Sequence, residues 1–326
     1  MLPHETGYPI WLHRFAKLVV AATFLLIFIG GLVTSTGSGL SVPDWPTTYG
    51  QSMFSFPLSK MIGGILYEHG HRMVATVVGF LTVILAIWIG YKEKRQWVKW
   101  LAFGALIAVI AQGILGGVTV LFLLPTSVSV LHGCLAQTFF CMTLCLAMFT
   151  SQEWLTAEGR NPNESAPRLQ NWALLTTCLV FLQLILGAIM RHAGAGLAIP
   201  DFPLAFGKII PPIKSQQVAI HFLHRIGALL VTFSVLATVY HVVRKHSNTP
   251  KLMRPALTLI AALVVQILLA GFTIWTKKAV LPTTAHVAAG AFILANSLFL
   301  YLRSRLLFGS AEASIEGDLI KQPTLS

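Results

Sequence analysis

Long apolar runs alternate with short polar segments over almost the whole chain. A helix needs about 20 mainly apolar residues to cross the hydrocarbon core of a bilayer. Eight runs reach that length and predict eight transmembrane helices. The first run lacks the small-residue cleavage site of a signal peptide, so we interpret it as a retained helix. The runs cover roughly residues 16–35, 68–90, 98–122, 127–149, 170–190, 217–243, 252–275 and 282–304.

The composition supports a membrane protein. The chain of 326 residues is 55% hydrophobic and only 10% charged, whereas an ordinary soluble domain is roughly 25% charged. This excludes a soluble globular enzyme. The formal net charge of +12 is no sign of a nucleic-acid partner, because the basic residues lie singly between apolar runs instead of on one face. The cysteines fall inside apolar runs and predict neither a disulfide framework nor a zinc site.

The distribution of basic residues predicts the orientation. If both termini are cytoplasmic, fifteen lysines and arginines lie on the cytoplasmic side and six on the outer side, as the positive-inside rule requires. The two longest loops, at about 34–66 and 191–216, are then on the outer side. We expect the polar tail after Phe308 to be disordered.

An internal repeat divides the chain. Residues 37–46, Gly-Ser-Gly-Leu-Ser-Val-Pro-Asp-Trp-Pro, match residues 194–203, Gly-Ala-Gly-Leu-Ala-Ile-Pro-Asp-Phe-Pro, at a constant offset. Each half contains four spans, so both halves enter the membrane from the same side. The predicted fold is an all-α integral membrane protein with two parallel-repeat four-helix bundles. Its parts are an N-terminal half at 1–156, a cytoplasmic linker at 157–168, a C-terminal half at 169–308 and a disordered tail at 309–326.

Four histidines occupy equivalent positions in the two halves: His71 and His132 correspond to His224 and His286. Ionisable side chains inside a bilayer are costly and by default indicate function. In each half one histidine lies on the second helix and one on the fourth. Two imidazoles on facing helices can bind one haem iron from both sides. A structural hydrogen bond kept in both halves remains an alternative, whereas zinc would need three or four clustered ligands.

An arginine follows one histidine of each pair directly. Arg72 and Arg225 need an anionic partner inside the membrane, and a haem propionate would supply one. Snorkelling toward lipid phosphates remains an alternative. The glycine-rich segments of the repeat predict ordered outer loops that fold back over the two histidine sites.

The halves differ at the position three residues before the first histidine. It is Glu68 in the first half and His221 in the second. A carboxyl group beside a haem edge can accept a proton or stabilise a developing cation, and an ion pair with Arg72 is compatible with either role. The difference predicts a reactive site in the first half and a storage or electron-transfer site in the second.

Taken together, these residues resemble the haem A synthase family. The resemblance extends from about Phe15 to Leu306. It depends on the eight spans, on the segment Glu68-His69-Gly70-His71-Arg72, and on the second-half pair His224 and His286 with Arg225.

The resemblance implies an inner-membrane oxidase that converts the methyl group at ring position 8 of haem O into the formyl group of haem A, through a hydroxymethyl intermediate. It implies that His71 and His132 ligate the substrate haem and that Glu68 is the essential carboxylate. His224 and His286 would ligate a haem b that transfers electrons. Many family members have a cysteine pair in the first outer loop, but residues 34–66 contain no cysteine here.

The resemblance also implies partners. Besides haem O and the surrounding membrane lipid, these are the farnesyl transferase that makes haem O and proteins of terminal oxidase assembly. A homo-oligomer stays open, as do the electron acceptor, the oxygen source and the roles of His69, His192 and His221.

Two other functions use the same residues. A di-haem cytochrome b that oxidises quinol would need the same four histidines but has no evident need of Glu68 in one half only. A transporter with a parallel repeat would place its ionisable residues at the bilayer midplane. Here they cluster near the outer ends of the helices, which counts against transport.

Overall fold

The computed structural model describes residues 9–156 and 166–309. Within these residues eight helices are long and apolar enough to cross a membrane, which confirms the eight predicted spans. A four-residue helix, α5, follows the fourth of them. The helices are α1 (Ile10–Ser35), α2 (Gly64–Lys92), α3 (Gln96–Leu121), α4 (Thr126–Phe149), α5 (Gln152–Leu155), α6 (Ala166–His192), α7 (Gln216–Lys245), α8 (Pro250–Trp275) and α9 (Val280–Phe308).

The predicted linker and tail lie mostly outside the described residues. Of the linker at 157–168, residues 166–168 belong to α6, because that helix begins at Ala166. Of the tail at 309–326, the structure describes Gly309, which ends α9.

Side-chain size separates the packed face of each helix from the outer face. In α3, Val98, Ala102, Ala105 and Ala108 are buried, and their spacing of three or four residues forms one stripe along the helix. These small side chains let neighbouring helices approach closely, as in other membrane bundles. The remaining surface of α3 exposes large apolar side chains, as lipid contact requires: Trp97, Trp100, Phe103, Ile107, Ile110 and Ile114.

The helices pack in two groups of four. In the first half α1 contacts α2 and α4, and α3 contacts the same two helices; α6, α7, α8 and α9 repeat this pattern. Each half has its own apolar core, one centred on Val19, Val78 and Phe139, the other on Val180, Val235 and Leu294. The halves meet where α1 contacts α9 and where α4 contacts α6 and α9. These contacts support the predicted two-bundle arrangement.

Polar contacts link the halves at the end that carries α5. The carboxylate of Glu153 pairs with Lys251, at 3.1 Å, and with Arg303. The opposite end carries the two longest loops, residues 36–63 and 193–215, and we call it the long-loop side. All four candidate histidines lie roughly two turns from the ends of their helices on this side.

Candidate functional site

The two long loops form the same turn around an aspartate. Asp44 accepts the backbone N–H groups of Tyr49, at 2.8 Å, and Gly50, at 2.9 Å, and the hydroxyl of Thr47, at 2.5 Å. Gly50 adopts a positive φ of 73°, which glycine tolerates without strain. Desolvation opposes ionisation of Asp44, but the hydrogen bonds from Gly50, Thr47 and Tyr49 outweigh it and lower the pKa of Asp44 to about 2.

Asp201 holds the second loop in the same way. It accepts the N–H groups of Phe206, at 2.7 Å, and Gly207, at 2.8 Å, and Gly207 has a φ of 71°. The hydrogen bond from Gly207 is the main cause that lowers the pKa of Asp201. The sequence repeat is therefore a repeat of local structure.

Arg72 anchors the first loop. Its Nη1 donates to the carbonyl oxygens of Asp44, at 2.7 Å, and Thr47, at 3.1 Å, and its Nη2 donates to that of Val42, at 2.8 Å. A buried carbonyl group without a partner is costly, so one guanidinium that serves three of them stabilises the folded loop. The loop is thereby held to α2, one residue after His71.

Arg225 makes the equivalent contacts in the second half. Its Nη1 donates to Leu204 O, at 2.7 Å, and its Nη2 to Asp201 O, at 2.6 Å. Both arginines thus bind loop backbone, and the lipid-snorkelling alternative does not describe their conformation.

Glu68 is buried, with 3% of its surface exposed, and both of its carboxylate oxygens are engaged. Oε2 accepts the N–H of Val42 at 2.8 Å, and Oε1 forms an ion pair with Nη2 of Arg72 at 2.6 Å. In the second half, Nδ1 of His221 accepts the N–H of Ile199 at 3.2 Å. Glu68 and His221 therefore anchor the same point of their loops. The anchor is a carboxylate in the first half and an imidazole in the second.

An aromatic residue of each loop packs against a glycine in the third helix of its half. The indole of Trp45 lies directly on Gly117 of α3, where any side chain would overlap it. The ring of Phe202 lies against Gly271 of α8, where an added Cβ would be 3.2 Å away. Both loops therefore pack on the helix bundle, as predicted for loops that fold back over the sites.

The structure brings each predicted histidine pair together. His71 and His132 are close enough for their imidazoles to interact electrostatically, and so are His224 and His286. Three of the imidazoles face a glycine on a neighbouring helix, where an added Cβ would be 3.1 to 3.3 Å from the ring. These contacts are Gly30 with His71, Gly116 with His132 and Gly187 with His224.

The nitrogens of these imidazoles have few protein partners. Among the described residues, Nδ1 of His71, His132 and His286 is buried and has no hydrogen-bond partner. Nδ1 of His224 lies 3.0 Å from Nε2 of Gln183. An unpaired buried polar atom costs about 1–3 kcal/mol and calls for a functional explanation. Three of the four imidazoles have no protein hydrogen bond at Nδ1, and three face a glycine instead of a side chain, which fits histidine pairs that ligate a haem iron.

One buried polar pair of the first half has no polar equivalent in the second half. Nδ1 of His69 lies 3.0 Å from Oγ1 of Thr48, and the His69 ring is 5.2 Å from that of Phe56. The aligned residues of the second half, Phe222 and Ala205, are both apolar and pack together with Ile199. The sequence already shows this difference when the two halves are aligned so that His69 corresponds to Phe222.

The fold and the site define a multi-pass helical membrane protein with two repeat-related histidine sites, each beneath an arginine-anchored loop. The sequence model of the COX15-CtaA family, described as cytochrome oxidase assembly proteins, matches residues 13–298, and the chain belongs to this family.

Several proteins named Heme A synthase are similar to this chain over most of its length. The protein named Heme A synthase of Symbiobacterium thermophilum is 30% identical over 254 residues, which are 76% of this chain and 80% of the relative. That of Halalkalibacterium halodurans is 31% identical over 72% of this chain and 77% of its own. That of Geobacillus kaustophilus is 24% identical over 89% and 92%, respectively. The resemblance to haem A synthases that the sequence suggested is confirmed.

Proposed function

We propose that this protein is a haem A synthase, a membrane oxidoreductase that converts haem O into haem A. Family membership and the relatives named Heme A synthase support the activity. The observation that carries the proposal is the buried Glu68, three residues before His71 on α2, at a position where the other half has His221.

In this proposal haem O is the substrate, and His71 and His132 ligate its iron. Oxidation of the methyl group first gives a hydroxymethyl group and then the formyl group, and each step removes two electrons. Both carboxylate oxygens of Glu68 are fixed, by Val42 and by Arg72. A fixed negative charge can stabilise positive charge at the reacting carbon, or it can accept the proton of an attacking water. Both roles of Glu68 stay open.

His224 and His286 hold a haem b in the proposal. When bound, this cofactor supplies one-electron transfer. The residues around it orient its ligands: Nε2 of Gln183 donates to the carbonyl oxygen of His224 at 2.8 Å, and Gly187 leaves room for the His224 ring. His221 holds the covering loop through Ile199.

Arg72 and Arg225 belong to the proposed sites as cofactor-binding residues. Their observed contacts with loop carbonyl oxygens support a contribution through the loops that cover the sites. A direct contact with a haem propionate stays a prediction.

The proposed location is the inner membrane, with both termini on the cytoplasmic side and the long-loop side outside. The fifteen to six distribution of basic residues supports this orientation. Several points stay predictions: the domain boundaries of the two halves, the haem O farnesyl transferase and oxidase assembly proteins as partners, and a homo-oligomer.

The alternative is a di-haem cytochrome b that only transfers electrons from quinol. It would use the same histidine pairs. The difference between Glu68 and His221 favours the synthase, because an electron-transfer chain with two equal sites needs no carboxylate in one of them.

Identification of the bound haems tests the proposal. The protein is purified from a host that makes haem O, its pigment is extracted in acid, and the haems are identified by chromatography and mass. We expect haem B together with haem O, haem A or the hydroxymethyl intermediate. We expect Glu68→Ala to stop product formation while haem stays bound. Haem B alone, at two per chain in the presence of haem O, would contradict the synthase and favour the electron-transfer cytochrome.

A further inference from the structure

Arg191, in the last turn of α6, lies where the two halves meet. Its Nη2 donates to Oγ of Ser35 at 2.8 Å and lies 3.4 Å from the carbonyl oxygen of Gly31, both on α1 of the first half. Gly31 follows Gly30, which faces the ring of His71, and Gly31 also packs against Thr284 of α9. Arg191 therefore lies against α1, which packs on α2 and α9, the helices of His71 and His286.

The end of α6 borders both histidine pairs. Arg191 Nη2 lies near the carbonyl oxygen of Gly31, and that oxygen is also 3.5 Å from Oγ1 of Thr284, two residues before His286. The carbonyl oxygen of His192 accepts the hydroxyl of Thr126, the first residue of α4, at 3.3 Å. Two consecutive residues thus connect to different sites, with the cation on the side of the second pair.

Arg191 is partly buried and has no carboxylate partner among residues 9–156 and 166–309. The ion pairs in this part of the chain use Glu68, Glu93 and Glu153, and none of them involves Arg191. Arg72 and Arg225 differ, because loop carbonyl oxygens occupy both of their terminal nitrogens. Withdrawing a guanidinium from water without an anion is costly, so Arg191 is suited to an anionic ligand.

The repeat shows that Arg191 is not a general structural feature of these helix ends. At the loop offset, the first-half equivalent of Arg191 is Thr34, whose hydroxyl donates to Gly30 O at 3.0 Å. Within the described helices, the second half therefore has a cation at this position and the first half has a neutral threonine. A planar guanidinium binds a carboxylate through two parallel hydrogen bonds.

We propose that Arg191 binds a carboxylate of the haem held by His224 and His286, and that its charge raises the reduction potential of that haem. The inference rests on the proposed haem b site. Ferric haem carries one more positive charge than ferrous haem, so a nearby fixed cation disfavours the ferric form.

Redox titration of the purified full-length protein tests this inference, with haem b followed by absorption and counted by extraction. Arg191→Gln removes the charge, Arg191→Lys keeps it, and Lys214→Gln removes a charge from an exposed residue on the same long-loop side. We expect a lower potential for Arg191→Gln, a potential near that of the wild type for Arg191→Lys, and no change for Lys214→Gln. An Arg191→Gln protein with full haem b at the wild-type potential would overturn the inference.

Loss of haem b from Arg191→Gln is also decisive. If Arg191→Lys then retains haem b, recognition of an anion by the charge is supported. If both variants lose haem b but keep the haem of the first half, charge recognition is refuted. A wild-type protein without haem b would instead refute the proposed second-half site itself, so the two failures are distinguishable.

Discussion

The carboxylate of Glu68 accepts the backbone N–H of Val42, and His221 accepts that of Ile199 at the equivalent point of the second half. Val42 and Ile199 are both fully buried, two residues before the aspartate of their loops. The anchoring contact is therefore common to both halves. The difference is the negative charge and its ion pair with Arg72, which only the first half has at this position.

The loop-anchoring role of Glu68 can therefore be separated from the role of its negative charge. The variant Glu68→His places the anchoring residue of the second half in the first. We expect the loop to stay ordered and haem O to bind, because an imidazole can accept the N–H of Val42. Formation of haem A should fall roughly a hundredfold or more, because the fixed charge is lost. The haems extracted from the purified variant give the measurement.

The reciprocal variant His221→Glu is the control for Glu68→His. It changes the anchor of the second loop without removing the first-half carboxylate, so conversion should persist. Haem A formation at the wild-type level in Glu68→His would show that Glu68 only positions the loop.

The contact between Trp45 and Gly117 predicts that the first loop is sensitive to a side chain on α3. Gly117→Val places atoms where the indole lies, and overpacking of this kind typically costs about 1–3 kcal/mol. We expect faster proteolysis within residues 36–63 and a lower Tm. Gly113→Ala, four residues earlier on α3, meets no atom within 4 Å and serves as the matched control. Equal protection of the loop in both variants would contradict a packing role for Gly117.

The sequence predicts the helices well because the bilayer sets their length, and it predicts the histidine pairs because the repeat shows them twice. It cannot predict contacts that depend on loop conformation. Arg72 binds carbonyl groups 25 to 30 residues away, and the loop turn around Asp44 creates those acceptors. Arg191 cannot be assigned from the sequence for a different reason: its counterpart in the repeat, Thr34, is uncharged, and its neighbours on α1 lie more than 150 residues away.

The glycines opposite the imidazoles give a prediction for each site separately. An alanine at Gly30 would place Cβ 3.1 Å from Cε1 of His71, and one at Gly187 would place it 3.1 Å from Cε1 of His224. We expect each substitution to tilt one imidazole and to change the spectrum of one haem only. Low-temperature electron paramagnetic resonance of the oxidised protein measures this.

Gly79→Ala on α2, which meets no atom within 4 Å, is the control for the two alanine variants. Identical spectra for Gly30→Ala, Gly187→Ala and this control would exclude both histidines as haem ligands held against these glycines.

The aspartate turn predicts a pH dependence of the first loop. Hydrogen bonds hold the pKa of Asp44 at about 2, below its ordinary value of 3.8. A group with a lowered folded pKa contributes fully above its ordinary pKa and loses that contribution as the pH falls through the folded value. The folded conformation of the loop should therefore be stable down to about pH 4 and lose stability toward pH 2. Tryptophan fluorescence, with Trp45 as the reporter, follows the change, and Trp45→Phe identifies its contribution.

Asp44→Asn tests whether the carboxylate is responsible. The amide retains one acceptor oxygen but has no charge, so the N–H groups of Tyr49 and Gly50 lose a charge-assisted partner. The loop of the variant should already be less stable at neutral pH. The fluorescence of Trp45 should lack the transition between about pH 4 and pH 2. The same transition in Asp44→Asn as in the wild type would assign it to other carboxyl groups, because a group that has been removed cannot titrate.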